Sequence, residues 1–138
     1  SWIMFPIVIK SNSISSNGRN WPLAVVIRKD LSFPAAVIAQ EIYESNWKTN
    51  PKNWLEYFTD DGKRKMEILG HEVEVVTANL IYGVDIPSCR NREAYSMVRN
   101  YEIFKNCSVV GVETAMLEVN QEAAEWVNNN LKRLRRYK

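Results

Sequence analysis

The stretch Ala39–Ser45, which reads AQEIYES, lies in the segment whose pattern decides the fold of this chain. The segment begins with Ser32, a plausible helix N-cap, and Pro34, which suits a first helical turn because its missing N–H has no partner there. Apolar residues then recur with the α-helical period, on an arc made of Ala35, Ile38, Ala39, Ile42 and Tyr43. The spacing predicts a helix to about Lys48, before Pro51.

The flanking pattern predicts two strands before this helix and three helices after it. Trp2–Lys10 is apolar enough for a strand covered on both faces, and Leu23–Arg28 is a second strand that a long polar loop would join to it as an antiparallel hairpin. The later helices are expected at about Lys63–Tyr82, ended by Gly83, then from Pro87, and at about Asn120–Arg136. The order predicts an α+β fold, a predominantly helical single domain over residues 1–138 with a small N-terminal antiparallel sheet.

Composition narrows the class of protein. The chain has 138 residues, of which 46% are hydrophobic and 25% charged, as in globular domains. It has no apolar run of about 18 residues, so no membrane span is expected. The net charge of +2 is too small to imply nucleic-acid binding by itself. Cys89 and Cys107 fit no zinc knuckle; they form either one disulfide or, as we expect, two buried free thiols of a cytoplasmic protein.

The polar side of the first predicted helix carries the candidate site. Gln40, Glu41 and Glu44 lie opposite the apolar arc, and Gln40 and Glu44 are one turn apart. Periodicity alone predicts that such an arc faces water. Side chains at positions i and i+4 can also converge on one ligand, as the two zinc-binding histidines of metallopeptidases do.

The second predicted helix adds further polar residues. Glu67, His71 and Glu74 lie away from its apolar stripe, and His71 is expected at the surface. Glu72 instead lies on the flank that carries Ile68, Val75, Val76 and Asn79. A carboxylate there needs a partner, because unpaired burial costs several kcal/mol. An arginine, a backbone amide or a metal ion would each serve.

The order of these features resembles small phage-encoded zincin-like proteins of the gluzincin type, over roughly residues 22–85. In that family a short sheet precedes a helix bearing HExxH, and a glutamate of a following helix, often in an E-x-E-A pattern similar to the EVEV at 72–75, is the third ligand. The resemblance places Gln40 and Glu44 at the two metal-histidine positions. It places Glu41 at the general base and Glu72 at the third ligand.

Both metal-binding histidines of the zincin pattern are therefore absent from this chain. Catalytic zinc is held mostly by imidazole, and a neutral amide oxygen is a poor substitute, so we expect no zinc cofactor. Without zinc, Glu41 faces an ordinary water that it cannot usefully deprotonate. The resemblance thus implies an inactive pseudo-metallopeptidase, a phage accessory protein of the host cytoplasm that binds a protein partner. The alternative is a hydrolase that uses Glu41, Glu44 and Glu72 with another metal or none.

Two surfaces are candidates for such a partner. Aromatic residues cluster after the first helix, where they form either core or a partner-binding patch, namely Trp47, Trp54, Tyr57 and Phe58. The last helix ends in basic residues that either answer the helix dipole or contact nucleic acid, namely Lys132, Arg133, Arg135 and Arg136.

Overall fold

Three short strands form a sheet near the N-terminus. In the computed structural model, which describes residues 6–12, 14, 16–21 and 24–138, these strands are β1 (Ile7–Ser11), β2 (Gly18–Trp21) and β3 (Ala24–Arg28). Their order across the sheet is β1-β3-β2; β2 runs antiparallel to β3, and β1 runs parallel to β3. The sheet is therefore mixed, and the predicted antiparallel pairing of the first strand with the residues after 23 is wrong.

The unpredicted strand β2 explains that error. It occupies the antiparallel position beside β3, and the chain reversal before it leaves β1 to pair in parallel on the other edge of β3. In β1, Val8 packs against the core while Ile7 and Ile9 are exposed. The prediction that this strand is covered on both faces is thus wrong. Residues 2–5 of the predicted strand lie outside the described residues.

The helices occupy the rest of the chain. In the described residues they are α1 (Pro34–Thr49), α2 (Trp54–Tyr57), α3 (Asp60–Tyr82), α4 (Ile86–Asn100), α5 (Val109–Glu118) and α6 (Asn120–Leu134). Short 3₁₀ turns lie at Pro51–Asn53, Glu102–Phe104 and Arg135–Tyr137. The predicted α+β class, dominated by helix, is confirmed. The short α2 and the separate α5 were not predicted.

Local caps set several of the helix ends. The side chains of Thr59 and Asp85 accept hydrogen bonds from backbone N–H groups of the first turns of α3 and α4. Gly83 ends α3 with φ +73°, a left-handed conformation that favours glycine, as predicted. The predicted cap Ser32 is not used, because Phe33 occupies the N-cap position of α1 and makes no side-chain capping bond.

The core surrounds α1 and α3 on most sides. The sheet packs on α1 through an apolar cluster of Val25, Ile27, Val37, Ile38 and Ile42. On its other sides α1 contacts α3 and α6, and α3 also contacts α4 and α5. Both helices therefore bury polar as well as apolar faces. The described helices include none with the length and apolar character of a membrane span.

The two cysteines are free, as expected. Cys89 is buried, whereas Cys107 is half-buried, so the expectation of two buried thiols holds only for Cys89.

Candidate functional site

The polar arc of α1 lies inside the protein. Gln40, Glu41 and Glu44 are at most 6% exposed. The prediction that this arc faces water is wrong, because α1 packs against the sheet on one side and α3 on another. The arc lies between these two layers and is covered by both.

Gln40 and Glu44 contact each other and α3. The Gln40 amide nitrogen Nε2 donates to Glu44 Oε2 at 2.8 Å and lies 3.2 Å from His71 Nε2. Gly70 makes the close approach of the helices possible, because a Cβ added there would lie 2.8 Å from Glu44 Oε2. The two positions of α1 therefore do converge, and His71 is the residue of α3 that meets them.

His71 is the centre of the buried network. Its Nδ1 lies 2.7 Å from Glu93 Oε1, and its Nε2 lies 3.0 Å from the Tyr101 hydroxyl and 3.6 Å from Glu67 Oε2. The prediction of a surface histidine is wrong. Glu67 and Glu74 are partly buried and are likewise not on a fully solvated face. Glu93 and Tyr101 are residues that the sequence patterns did not single out for this site.

Glu41 contacts the sheet. Its Oε2 accepts a hydrogen bond from the Asn20 side chain of β2 at 2.6 Å, and Asn20 Oδ1 accepts one from Lys48 Nζ at 3.1 Å. Gly18, also in β2, leaves room for the Glu41 side chain, since a Cβ there would lie 3.0 Å from Glu41 Cγ. The residue at the general-base position is thus tied to β2.

Glu72 has different partners from those that the zincin resemblance implies. Its two carboxylate oxygens accept hydrogen bonds from Arg90 at 2.9 and 2.6 Å, and Asn120 donates a third at 2.8 Å. Glu72 is fully buried, so the expected partner is present and it is an arginine. Its expected place as third ligand beside Gln40 and Glu44 is wrong, because successive helix residues point about 100° apart and His71 faces α1.

The network concentrates carboxyl groups whose pKa values are raised. Burial raises the pKa of Glu44 well above its ordinary value, and Glu67 and Glu41 raise it further. Burial also raises the pKa of Glu74 strongly, with a further contribution from Glu93. Glu41 has a raised pKa for the same reason, although the Asn20 hydrogen bond opposes it.

His71 and Glu93 form the charged pair of this network. Burial lowers the pKa of His71, but Tyr101, Glu67 and Glu93 outweigh burial and raise this pKa well above its ordinary value. Burial raises the pKa of Glu93, but its hydrogen bond to His71 prevails and lowers it. The arrangement favours an ion pair between His71 and Glu93, and it favours the protonated forms of Glu44 and Glu74 relative to free carboxyl groups.

The predicted aromatic patch divides between core and surface. Trp47 is buried, and Tyr57 is half-buried against it, with ring centroids 6.4 Å apart. Trp54 and Phe58 are exposed, and between them lies Leu55, which is 86% exposed and was not predicted as part of the patch.

The basic tail is a solvated extension of α6. Its predicted contact residues are all exposed, namely Lys132, Arg133, Arg135 and Arg136. Leu134 is fully buried and anchors the end of the helix. Nucleic-acid contact through this tail stays a prediction.

The residues that the resemblance would align with the zincin ligands do not fit catalytic zinc. Gln40 and Glu44 supply one amide and one carboxylate already bonded to each other, and Glu72 is held by Arg90. Zinc sites depend mostly on imidazole nitrogen, and these three positions supply none. No protein-family model, curated protein or solved structure matches this chain.

Proposed function

We propose that this protein is a catalytically inactive, zincin-like binding domain, of the kind used as phage accessory proteins, that acts by contact with a macromolecular partner. The observation that carries the proposal is the closed network at the former ligand positions. Gln40 donates to Glu44 at 2.8 Å, its amide lies 3.2 Å from His71 Nε2, and each of the three residues is at most 6% exposed. Hydrolysis requires a substrate atom within about 3 Å of the catalytic groups, and this network offers a peptide bond no such place.

The partner surface that we propose is the exposed apolar face at α2, made of Trp54, Leu55 and Phe58. Leu55 is 86% and Phe58 80% exposed, and Trp54 is also largely exposed. Contiguous exposed apolar side chains are uncommon on proteins without a partner, and aromatic side chains dominate binding energy at interfaces. These three residues form the α2 surface.

Replacing Leu55 and Phe58 together with serine is expected to abolish partner capture. Buried interface anchors of this kind contribute about 2 kcal/mol or more each, so the loss of both should weaken affinity by about 500-fold or more and leave little retained partner. The measurement is capture from host lysate on immobilised protein, followed by quantitative mass spectrometry.

A matched control replaces Val110 and Leu117 with serine. These residues are also exposed and apolar but lie on α5, away from the α2 surface. Capture that survives the Leu55 and Phe58 changes, or that both double variants reduce equally, would count against the α2 surface.

Replacing Gln40 and Glu44 with histidine is expected to restore zinc binding. The two new imidazoles would lie beside His71 Nε2, which is 3.2 Å from the present Gln40 amide. Three imidazoles form a recognised zinc set, and we expect affinity at least about 100-fold tighter than that of the unchanged chain. The measurement is the visible absorption of bound Co²⁺, which reports a tetrahedral site, followed by displacement with zinc.

The control for this variant adds His71→Ala, which should remove the new absorption. A Gln40 and Glu44 double variant that keeps its helical circular dichroism but binds no metal would contradict the alignment with HExxH.

A further inference from the structure

Three side chains of α3 and α4 converge beside the closed network. His71, Glu74 and Glu93 each offer one ligand atom, and these atoms lie within 4.8 Å of one another. Ligands bonded to one ion at about 2.1 Å lie about 3–4 Å apart, so small side-chain rotations would bring all three onto a common ion. We propose that His71 Nδ1 and one carboxylate oxygen from each of Glu74 and Glu93 bind a divalent manganese ion.

The other nitrogen of His71 has the partners that a metal-bound imidazole needs. With Nδ1 on the ion, Nε2 carries the ring proton and faces the Tyr101 hydroxyl at 3.0 Å and Glu67 Oε2 at 3.6 Å. The Gln40 amide, 3.2 Å from Nε2, would then turn its oxygen toward this N–H, because its NH₂ group cannot accept a hydrogen bond. Glu67 Oε2 is buried and accepts no hydrogen bond from any residue in the described part of the chain. A carboxylate behind a ligating histidine is the usual outer support of such a site, because it fixes the ring orientation.

The surrounding charge favours a cation. Five carboxylates lie in or beside the network, those of Glu41, Glu44, Glu67, Glu74 and Glu93. In the described residues none of them forms an ion pair with a lysine or an arginine, and His71 is the only cationic side chain bonded to them. Glu72 shows the contrast, since Arg90 neutralises it. A bound dication would supply the positive charge that the packed helices lack.

The site has a route to solvent. Glu74 and Glu93 line a cleft of about 300 Å³, which also contacts Cys89, Arg28 and Arg92. Arg28 is itself paired with Asp30 at 3.1 Å, which reduces its repulsion of an incoming cation. The cleft would also leave room for water molecules in the remaining coordination positions.

The ligand set is compatible with Mn²⁺. The two carboxylates are ligands that Mn²⁺ accepts readily, and one imidazole nitrogen favours a first-row divalent ion over Mg²⁺. Mg²⁺ demands an oxygen-rich octahedron and should bind at least about tenfold more weakly than Mn²⁺. The site uses none of Gln40, Glu44 or Glu72 and shares only His71 with the network described above, through its other ring nitrogen.

The test is titration of the chelator-treated full chain with MnCl₂ alone, followed by electron paramagnetic resonance of free Mn²⁺. The unchanged protein should remove one equivalent of free ion from the spectrum, and its melting temperature should rise with Mn²⁺ concentration. Glu74→Gln and Glu93→Gln should each weaken binding at least about 100-fold, the upper range for loss of an outer partner. Glu67→Gln should have a smaller effect, within that range of about 10–100-fold.

The control is Glu125→Gln, an exposed carboxylate on α6 that should leave binding unchanged. If Glu93→Gln fails to fold, Glu74→Gln decides the question alone. Absence of binding at millimolar Mn²⁺ would overturn the proposal. Binding that Glu74→Gln leaves intact while Glu67→Gln abolishes it would overturn the placement of the ion at Nδ1.

Discussion

Replacing Arg90 with methionine is expected to lower the free energy of unfolding by about 3–5 kcal/mol, because it leaves a buried carboxylate without its charged partner. Glu72 is fully buried, and Arg90 supplies two of its three hydrogen bonds, at 2.9 and 2.6 Å. Asn120 would remain, but one neutral amide does not balance a buried charge. The measurement is urea unfolding at pH 7, followed by circular dichroism.

Two further variants separate this effect from general damage to α4. Arg99→Met changes an exposed arginine of the same helix and should cost less than about 1 kcal/mol. Adding Glu72→Met to Arg90→Met should recover much of the loss, since an apolar pair can replace a buried ion pair. Equal losses for the Arg90 and Arg99 variants would show that the Glu72 carboxylate does not depend on this pairing.

The free energy of unfolding is expected to fall as the pH rises from 5.5 to 8.5 in the presence of a chelator. Glu44 and Glu74 have raised pKa values in the folded state, so the folded chain holds protons that the unfolded chain has released above about pH 4.5. His71 also has a raised pKa, and its contribution is complete below about pH 6.5 and is lost as the pH rises through its folded value. All three groups therefore act in the same direction.

The slope of the free energy of unfolding against pH measures how many more protons the folded chain holds than the unfolded chain. Each group that keeps one full extra proton contributes about 1.4 kcal/mol per pH unit. Glu93 has a lowered pKa, so its opposing contribution is lost only below about pH 4.5, outside this window. Urea unfolding at half-unit pH intervals gives the slope directly.

Glu44→Gln is the informative variant for this pH dependence. It replaces a carboxyl whose pKa is raised by burial with a neutral group of the same size, so the slope should become shallower and the variant should exceed the unchanged protein in stability at pH 8.5. The exposed Glu122→Gln is the control and should keep the original slope. A stability that stays level or rises between pH 5.5 and 8.5 would contradict retained protons in this network.

Local sequence signals predicted the four longer helices, α1, α3, α4 and α6. Pro34 near the start of α1 and Gly83 after α3 mark helix ends, because each acts on the backbone within a few residues. Helix α3 begins three residues before the predicted start at Lys63, because the Thr59 side chain caps its first turn. The apolar flank of Glu72 also predicted that its carboxylate needs a partner. It did not predict that this partner is Arg90.

Tertiary structure alone decided which polar residues are buried together. Helical periodicity reports which face is polar but not what covers that face, so it assigned Gln40, Glu44 and His71 to water. The sheet and α3 enclose the polar arc of α1, and Gly70 allows contact close enough to bond it to His71. The strand pairing could not be predicted from local patterns either. Both β1 and β2 pair with β3, and these are contacts between residues far apart in the sequence. The sequence by itself determined the four longer helices, α1, α3, α4 and α6, through local signals, and packing determined the site.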